Sequence, residues 1–150
     1  MTTTFAKPSL TTRIGIGKLV GFLIGLMGFI LIPYILPEAS LHFRIGILLW
    51  YGTMGAVIGV YGIYTRHPVL KLPMPWWYRA PVIGAWMNFV ISLFAYDPLK
   101  SMMEALAPVT GGTALSPFWF VAEGALVGFL IGAIATKLGG EGPETLEADL

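Results

Sequence analysis

The stretch that decides the fold is SPFWFVAEGALVGFLIGAIATK, residues 116–137. It is long enough and apolar enough to cross a bilayer as a helix, which takes about 20 residues. It holds one carboxylate, Glu123, and glycines four apart at Gly124, Gly128 and Gly132. Four-residue spacing puts these glycines on one helix face, where a second backbone can come close. A charge in such a segment costs roughly 2.5–3.5 kcal/mol at the centre and calls for a partner or a function.

The whole chain shares this character. Of its 150 residues 56% are hydrophobic and only 11% charged, with a mean hydropathy of +0.77. A soluble domain carries about 25% charged residues. The 19 glycines and 11 prolines sit largely within apolar runs, as they do in membrane helices. A net charge of +1 without a basic cluster gives no nucleic-acid interface. The lack of cysteine excludes disulfides, thiolate metal sites and thiolate catalysis.

Working outward, the sequence predicts an all-α integral membrane protein of four spans in a glycine-rich bundle, about 14–36, 43–64, 80–96 and 117–137. Residues 1–13 read as a cytoplasmic tail. The apolar run from Leu19 is longer than a signal-peptide core of about 7–15 residues, and Pro37-Glu38-Ala39-Ser40 is a poor cleavage site. The first span carries Gly17, Gly21 and Gly25, with Pro33 near its far end. The second carries Gly52, Gly55, Gly59 and Gly62, with Trp50, Tyr51, Tyr61 and Tyr64 as bulk. Prolines at 68, 73 and 75 make 65–79 a connection, and Trp76, Trp77, Tyr78 and Arg79 read as an interfacial anchor. The third span aligns Gly84, Asn88 and Ser92, a small and polar stripe that should face protein.

Asp97-Pro98 reads as an N-cap and first-turn proline opening a short interfacial helix near 98–107. Its apolar stripe is Leu99, Met102, Met103 and Leu106. Residues 138–150 read as an acidic, disordered tail. The segment Leu19–Gly25 recurs as Leu126–Gly132. The two copies fall on spans of opposite direction, so the match reads first as convergence on one packing surface and second as an inverted repeat.

With four spans Lys7, Arg13, Lys18, Arg66, Lys71, Arg79 and Lys137 share one side, and only Arg44 and Lys100 the other. The positive-inside rule then puts both termini in the cytoplasm of a cell (inner) membrane protein. His42 and His67 fall on opposite sides, so no metal site is expected, and no cofactor.

The candidate polar site is Glu123 with Asn88, Ser92 and Tyr51. As a neutral acid, Glu123 would donate to one of these. As an anion, its nearest cation would be Arg44. The packing residues are Gly21, Gly25, Gly55, Gly59, Gly124, Gly128 and Gly132. No catalytic constellation is legible. Glu38, His42, Asp97 and Glu104, which share the outer side, give the weakest of the readings, a lipid-modifying enzyme. The expectation is a non-enzymatic membrane protein that packs with itself or within a larger membrane complex, with the bilayer as its medium. The alternative is a small transporter or channel, with Glu123 and Asn88 lining a proton, cation or small-solute path.

Overall fold

The computed structural model describes residues 9–147 and 149–150; most of the expected N-terminal tail lies outside them. The described residues are helical and form no sheet. Six helices run α1 Leu10–Ile35, α2 Leu41–Val60, α3 Trp76–Phe94, α4 Tyr96–Ala105, α5 Trp119–Gly139 and α6 Glu144–Glu147, with a 3-10 turn at Tyr61–Ile63 after α2. Three helices are long and apolar enough to cross a membrane: α1, α5, and α2 with its 3-10 turn. Helices α3 and α4 meet that description only together, and a bend of 98° separates them.

Local chemistry sets the helix starts. The Ser9 hydroxyl accepts from the Thr12 amide at 3.1 Å and caps α1. Ser40 caps α2 the same way, accepting from Phe43 at 3.1 Å. Each satisfies one of the orphan amides that a first turn leaves open. Pro75 stands at the start of α3 in extended conformation.

Helix α1 packs on α2 and α3 on α5, and the pairs meet mainly along α1 and α5. The contacts are close. A Cβ at Gly17 would strike the Gly55 carbonyl, and one at Gly55 the Gly17 carbonyl. Gly84 and Gly124 exclude side chains from each other in the same manner, and Gly128 lies against the Ala80 carbonyl. The two copies of the repeated segment do the same work. Gly21 and Gly25 are buried against α2, and Gly128 and Gly132 against α3. Leu19 and Leu126 point outward, 60% and 69% exposed. One copy heads its pair (α1 then α2) and the other closes its pair (α3 then α5). That reversed chain order does not fit a duplicated hairpin.

Several expectations are corrected. The helix begins at Trp76, not at residue 80, because Pro73 and Pro75 precede its first turn and do not interrupt it. Trp76 and Arg79 therefore turn inward. Trp76 packs on the Phe129 ring at 5.1 Å between centroids, and Arg79 is 4% exposed. Only Trp77 and Tyr78 face outward. Ala95, not Asp97, stands at the cap of α4, and Asp97 lies in its first turn. The stripe of α4 closes the end of the bundle opposite the termini: Leu99 and Met102 join the core beside Leu36, Ala39 and Phe43.

Arg13 belongs to the first turn of α1 and is fully buried. The described residues of the acidic tail lie over the bundle end. Gly142 donates to the Gly62 carbonyl at 3.0 Å, Thr145 is fully buried, and Asp149 accepts from Ser9 Oγ at 2.6 Å and the Thr11 amide at 2.8 Å.

Candidate functional site

Three helices bring the polar residues of the apolar layer together. Tyr51 and Trp50 come from α2, Asn88 from the small stripe of α3, and Glu123 from the second turn of α5. Glu123 Oε2 accepts from the Tyr51 hydroxyl at 2.6 Å and from Asn88 Nδ2 at 2.7 Å. Asn88 Nδ2 also donates to the Phe120 carbonyl at 2.9 Å, and Asn88 Oδ1 accepts from Trp50 Nε1 at 3.1 Å. Asn88 is 1% exposed. Its amide is thus satisfied at both ends, as a group this deep requires. Two donors converge on one carboxyl oxygen. The chemistry is that of an interhelical clasp, with α3 donating to α5 and α2 donating to both.

Two expected members are elsewhere. The Ser92 hydroxyl donates to the Asn88 carbonyl of its own helix at 2.7 Å and does not reach Glu123. Arg44 faces away, and the reason lies in α1. Pro33 has no amide hydrogen, so the Phe29 carbonyl four residues earlier loses its helical donor. Arg44 supplies two replacements, from Nε at 3.0 Å and Nη2 at 2.9 Å. Its guanidinium also lies 4.3 Å from the Phe29 ring centroid, a cation–π contact.

A second polar cluster ties the end of the bundle that carries the termini. Arg13 donates from Nε to the Gly59 carbonyl at 3.0 Å, and from Nη1 to Thr136 Oγ1 at 2.9 Å and to the Gly140 carbonyl. A cation is disfavoured in the first turn of its own helix and favoured at the C-terminal end of a neighbour. Arg13 reaches two such ends, those of α2 and α5. Its path is cleared by glycine, since a Cβ at Gly62 would overlap the guanidinium and one at Gly139 would meet the Arg13 backbone. Its Nη2 is buried without a partner among the described residues. Arg79 donates to the Tyr64 carbonyl, to the Met74 carbonyl at 2.6 Å, and to Glu141 Oε1 at 2.7 Å.

Sequence reasoning missed Trp50 as a donor, and Arg13, Thr136 and Glu141 as a cluster. The available signals were an arginine opposed to its own helix dipole and glycines at 62 and 139 at the ends of two other apolar runs.

Two of the grooves on the surface of the described residues stand out. One of about 990 Å³ runs from Thr65 and His67 to Val82 and Ile83, and one of about 360 Å³ lies between Glu38 and Asp97. Neither is lined by Glu123 or Asn88. The smaller groove brings Glu38 and Asp97 together with Ser101, but His42 and Glu104 do not line it. Comparison with protein-family models, curated proteins and solved structures finds no match.

Proposed function

We propose that the chain is a small, non-enzymatic, multi-pass protein of the cell (inner) membrane, with four spans and both termini cytoplasmic. It packs with itself or serves as an accessory subunit of a larger membrane complex. In this reading the bent α3–α4 pair is the third span with an interfacial foot. The observation that carries the reading is where the intramembrane polar groups go. Glu123, Asn88, Tyr51 and Trp50 bond to one another across three helices, and both described grooves lie away from them. Polar groups that make a path need water beside them, whereas polar groups that fasten helices need only each other.

Glycine-mediated approach supports the same reading. Lipid supplies no hydrophobic drive for helix association, so close backbone contact must provide it. Two helical glycines stand outside the internal contacts: Gly15 of α1 and Gly46 of α2 have open space where a side chain would stand. Their freedom supports a partner on the α1–α2 side.

The test is the mass of the native assembly in lipid nanodiscs, together with ion and proton flux in liposomes. The proposal expects an assembly larger than one chain. Gly15→Leu and Gly46→Leu should reduce it while leaving the melting temperature unchanged. Liposomes should show no flux above the lipid background. A single chain with no partner, conducting protons or cations in a manner abolished by Glu123→Gln, would establish transport instead.

A further inference from the structure

The larger groove carries an assignment that the fold does not use. One wall is the first two turns of α3, with Tyr78, Val82 and Ile83; the other is the loop before it, with Leu70 and Leu72. The loop is a folded flap. Arg66 bridges to Pro73, and the His67 amide donates to the Leu72 carbonyl at 2.8 Å. The His67 ring organises the tip, where Nδ1 accepts from the Val69 amide at 3.2 Å and from Leu70 at 3.0 Å. A neutral imidazole that accepts at Nδ1 carries its proton on Nε2, so His67 retains a donor on the lining of the groove. Lys71 sits at φ 56°, a left-handed position unusual for a side-chain-bearing residue, and the flap fixes it there through the hydrogen bond that its amide donates to the His67 carbonyl at 2.9 Å.

The groove is graded from end to end. At Val82 and Ile83 it is apolar and level with the interior of the third span. At Trp77 and Tyr78 it passes the aromatic band typical of a membrane interface. At His67 it reaches the polar end of the bundle. The buried Arg79 there is already neutralised by Glu141 at 2.7 Å. Arg66 and Lys71 flank the lining residues Thr65, His67, Leu70 and Leu72 and stand outside the lining itself; both are exposed and in no ion pair among the described residues, and the flap has no acidic residue. The flap tip is apolar and exposed, with Val69 at 78% and Leu70 at 63%. An apolar tip between two cations suits the boundary between headgroups and acyl chains of an anionic leaflet.

We propose that this groove seats one anionic glycerophospholipid of the cytoplasmic leaflet. An acyl chain lies along Leu72, Tyr78, Val82 and Ile83, and the phosphate sits at the flap end by the His67 Nε2–H, with Arg66 and Lys71 on the outer rim of the flap attracting the anionic headgroup. The inference rests on the membrane orientation proposed above. A lipid fits better than a second copy of the chain, because the groove follows the polarity gradient of the leaflet and the unpaired charges of the flap beside it are all of one sign.

The experiment is native mass spectrometry of the full chain released from nanodiscs of equal phosphatidylglycerol and phosphatidylcholine. The wild-type protein should retain one phosphatidylglycerol in preference to phosphatidylcholine. Arg66→Glu and Lys71→Glu should each lower that preference by about fivefold. Val82→Trp should fill the apolar wall and reduce retention of both lipids. Leu72→Ser, at an exposed position, should do the same without risk to the fold. Excess inorganic phosphate should leave the adduct in place; displacement by phosphate would overturn the lipid assignment in favour of a simple anion site. Equal retention of both lipids by wild type, unchanged retention in Leu72→Ser, or a protein dimer seated in place of the lipid would overturn the proposal. The orientation is tested separately: labelling of Val69→Cys by an impermeant thiol reagent from outside intact cells would overturn the topology, whatever the lipid result.

Discussion

Arg44 shows how a residue's place is set by what its neighbour lacks. The proline at 33 removes one donor, the Phe29 carbonyl is left open within an apolar layer, and the nearest long cation answers it. The two positions are therefore coupled. Arg44→Met should destabilise the protein by about 1–2 kcal/mol, the cost of leaving a half-buried acceptor unpaired in apolar surroundings. In a Pro33→Ala background the new amide can take the Phe29 carbonyl, and the same change should cost much less. A double-mutant cycle by reversible unfolding in bicelles measures the difference; additive effects would show that Arg44 does not answer the proline. Asp149 makes a milder link of the same kind. Its hydrogen bonds from Ser9 and from the Thr11 amide hold its carboxyl below the usual range. A lowered folded value means that the contact contributes fully above the unfolded pKa and is lost as pH falls through the folded one. Amide protection over residues 141–147, corrected for the intrinsic pH dependence of exchange, should therefore fall in acid, and Asp149→Asn should flatten that response. A tail equally protected at acid and neutral pH would contradict it.

At the scale of elements the apolar runs were legible and their ends were not. The expected spans 14–36, 43–64 and 117–137 lie close to α1, α2 with its 3-10 turn, and α5, because about 20 apolar residues have few other uses. The start of α3 was hidden because Pro73 and Pro75 read as breakers, while Pro75 in fact stands just ahead of the first turn. The clasp was half legible. Polar residues in apolar runs announce themselves, so Glu123, Asn88 and Tyr51 could be grouped by eye. Trp50 could not, since its indole donor is masked by a ring that reads as bulk. Arg13 was illegible for a different reason: its acceptors are carbonyls at the ends of two other helices, and no local pattern encodes them. The glycine contacts give a sharp element-scale expectation. Gly128→Leu places a large side chain against the Ala80 carbonyl and should lower detergent stability and yield, although Leu is the better helix former. Leu130, 47% exposed, should tolerate Ala. If Gly128→Leu expresses and melts like wild type, close approach of α3 and α5 is not what holds that pair.

Taken as a whole, the molecule is two helix pairs fastened at two depths. The Glu123 clasp joins α2, α3 and α5 within the apolar layer, and Arg13 joins α1, α2 and α5 at the end that carries the termini. The proposed topology puts that end in the cytoplasm. Leu150→Cys should then be shielded from an impermeant thiol reagent in intact cells, and Thr110→Cys should be labelled; the reverse pattern would invert the orientation. The fastening role of Glu123 is measured most directly by comparing Glu123→Gln and Glu123→Leu in reversible unfolding within a bilayer mimetic. Glutamine keeps a carbonyl oxygen where Oε2 now accepts from Tyr51 and Asn88, so its stability should stay close to wild type. Leucine removes the acceptor and leaves both donors open, and should cost about 1 kcal/mol or somewhat more. A glutamine variant as damaged as the leucine one, or a leucine variant as stable as wild type, would contradict a clasp built on that oxygen.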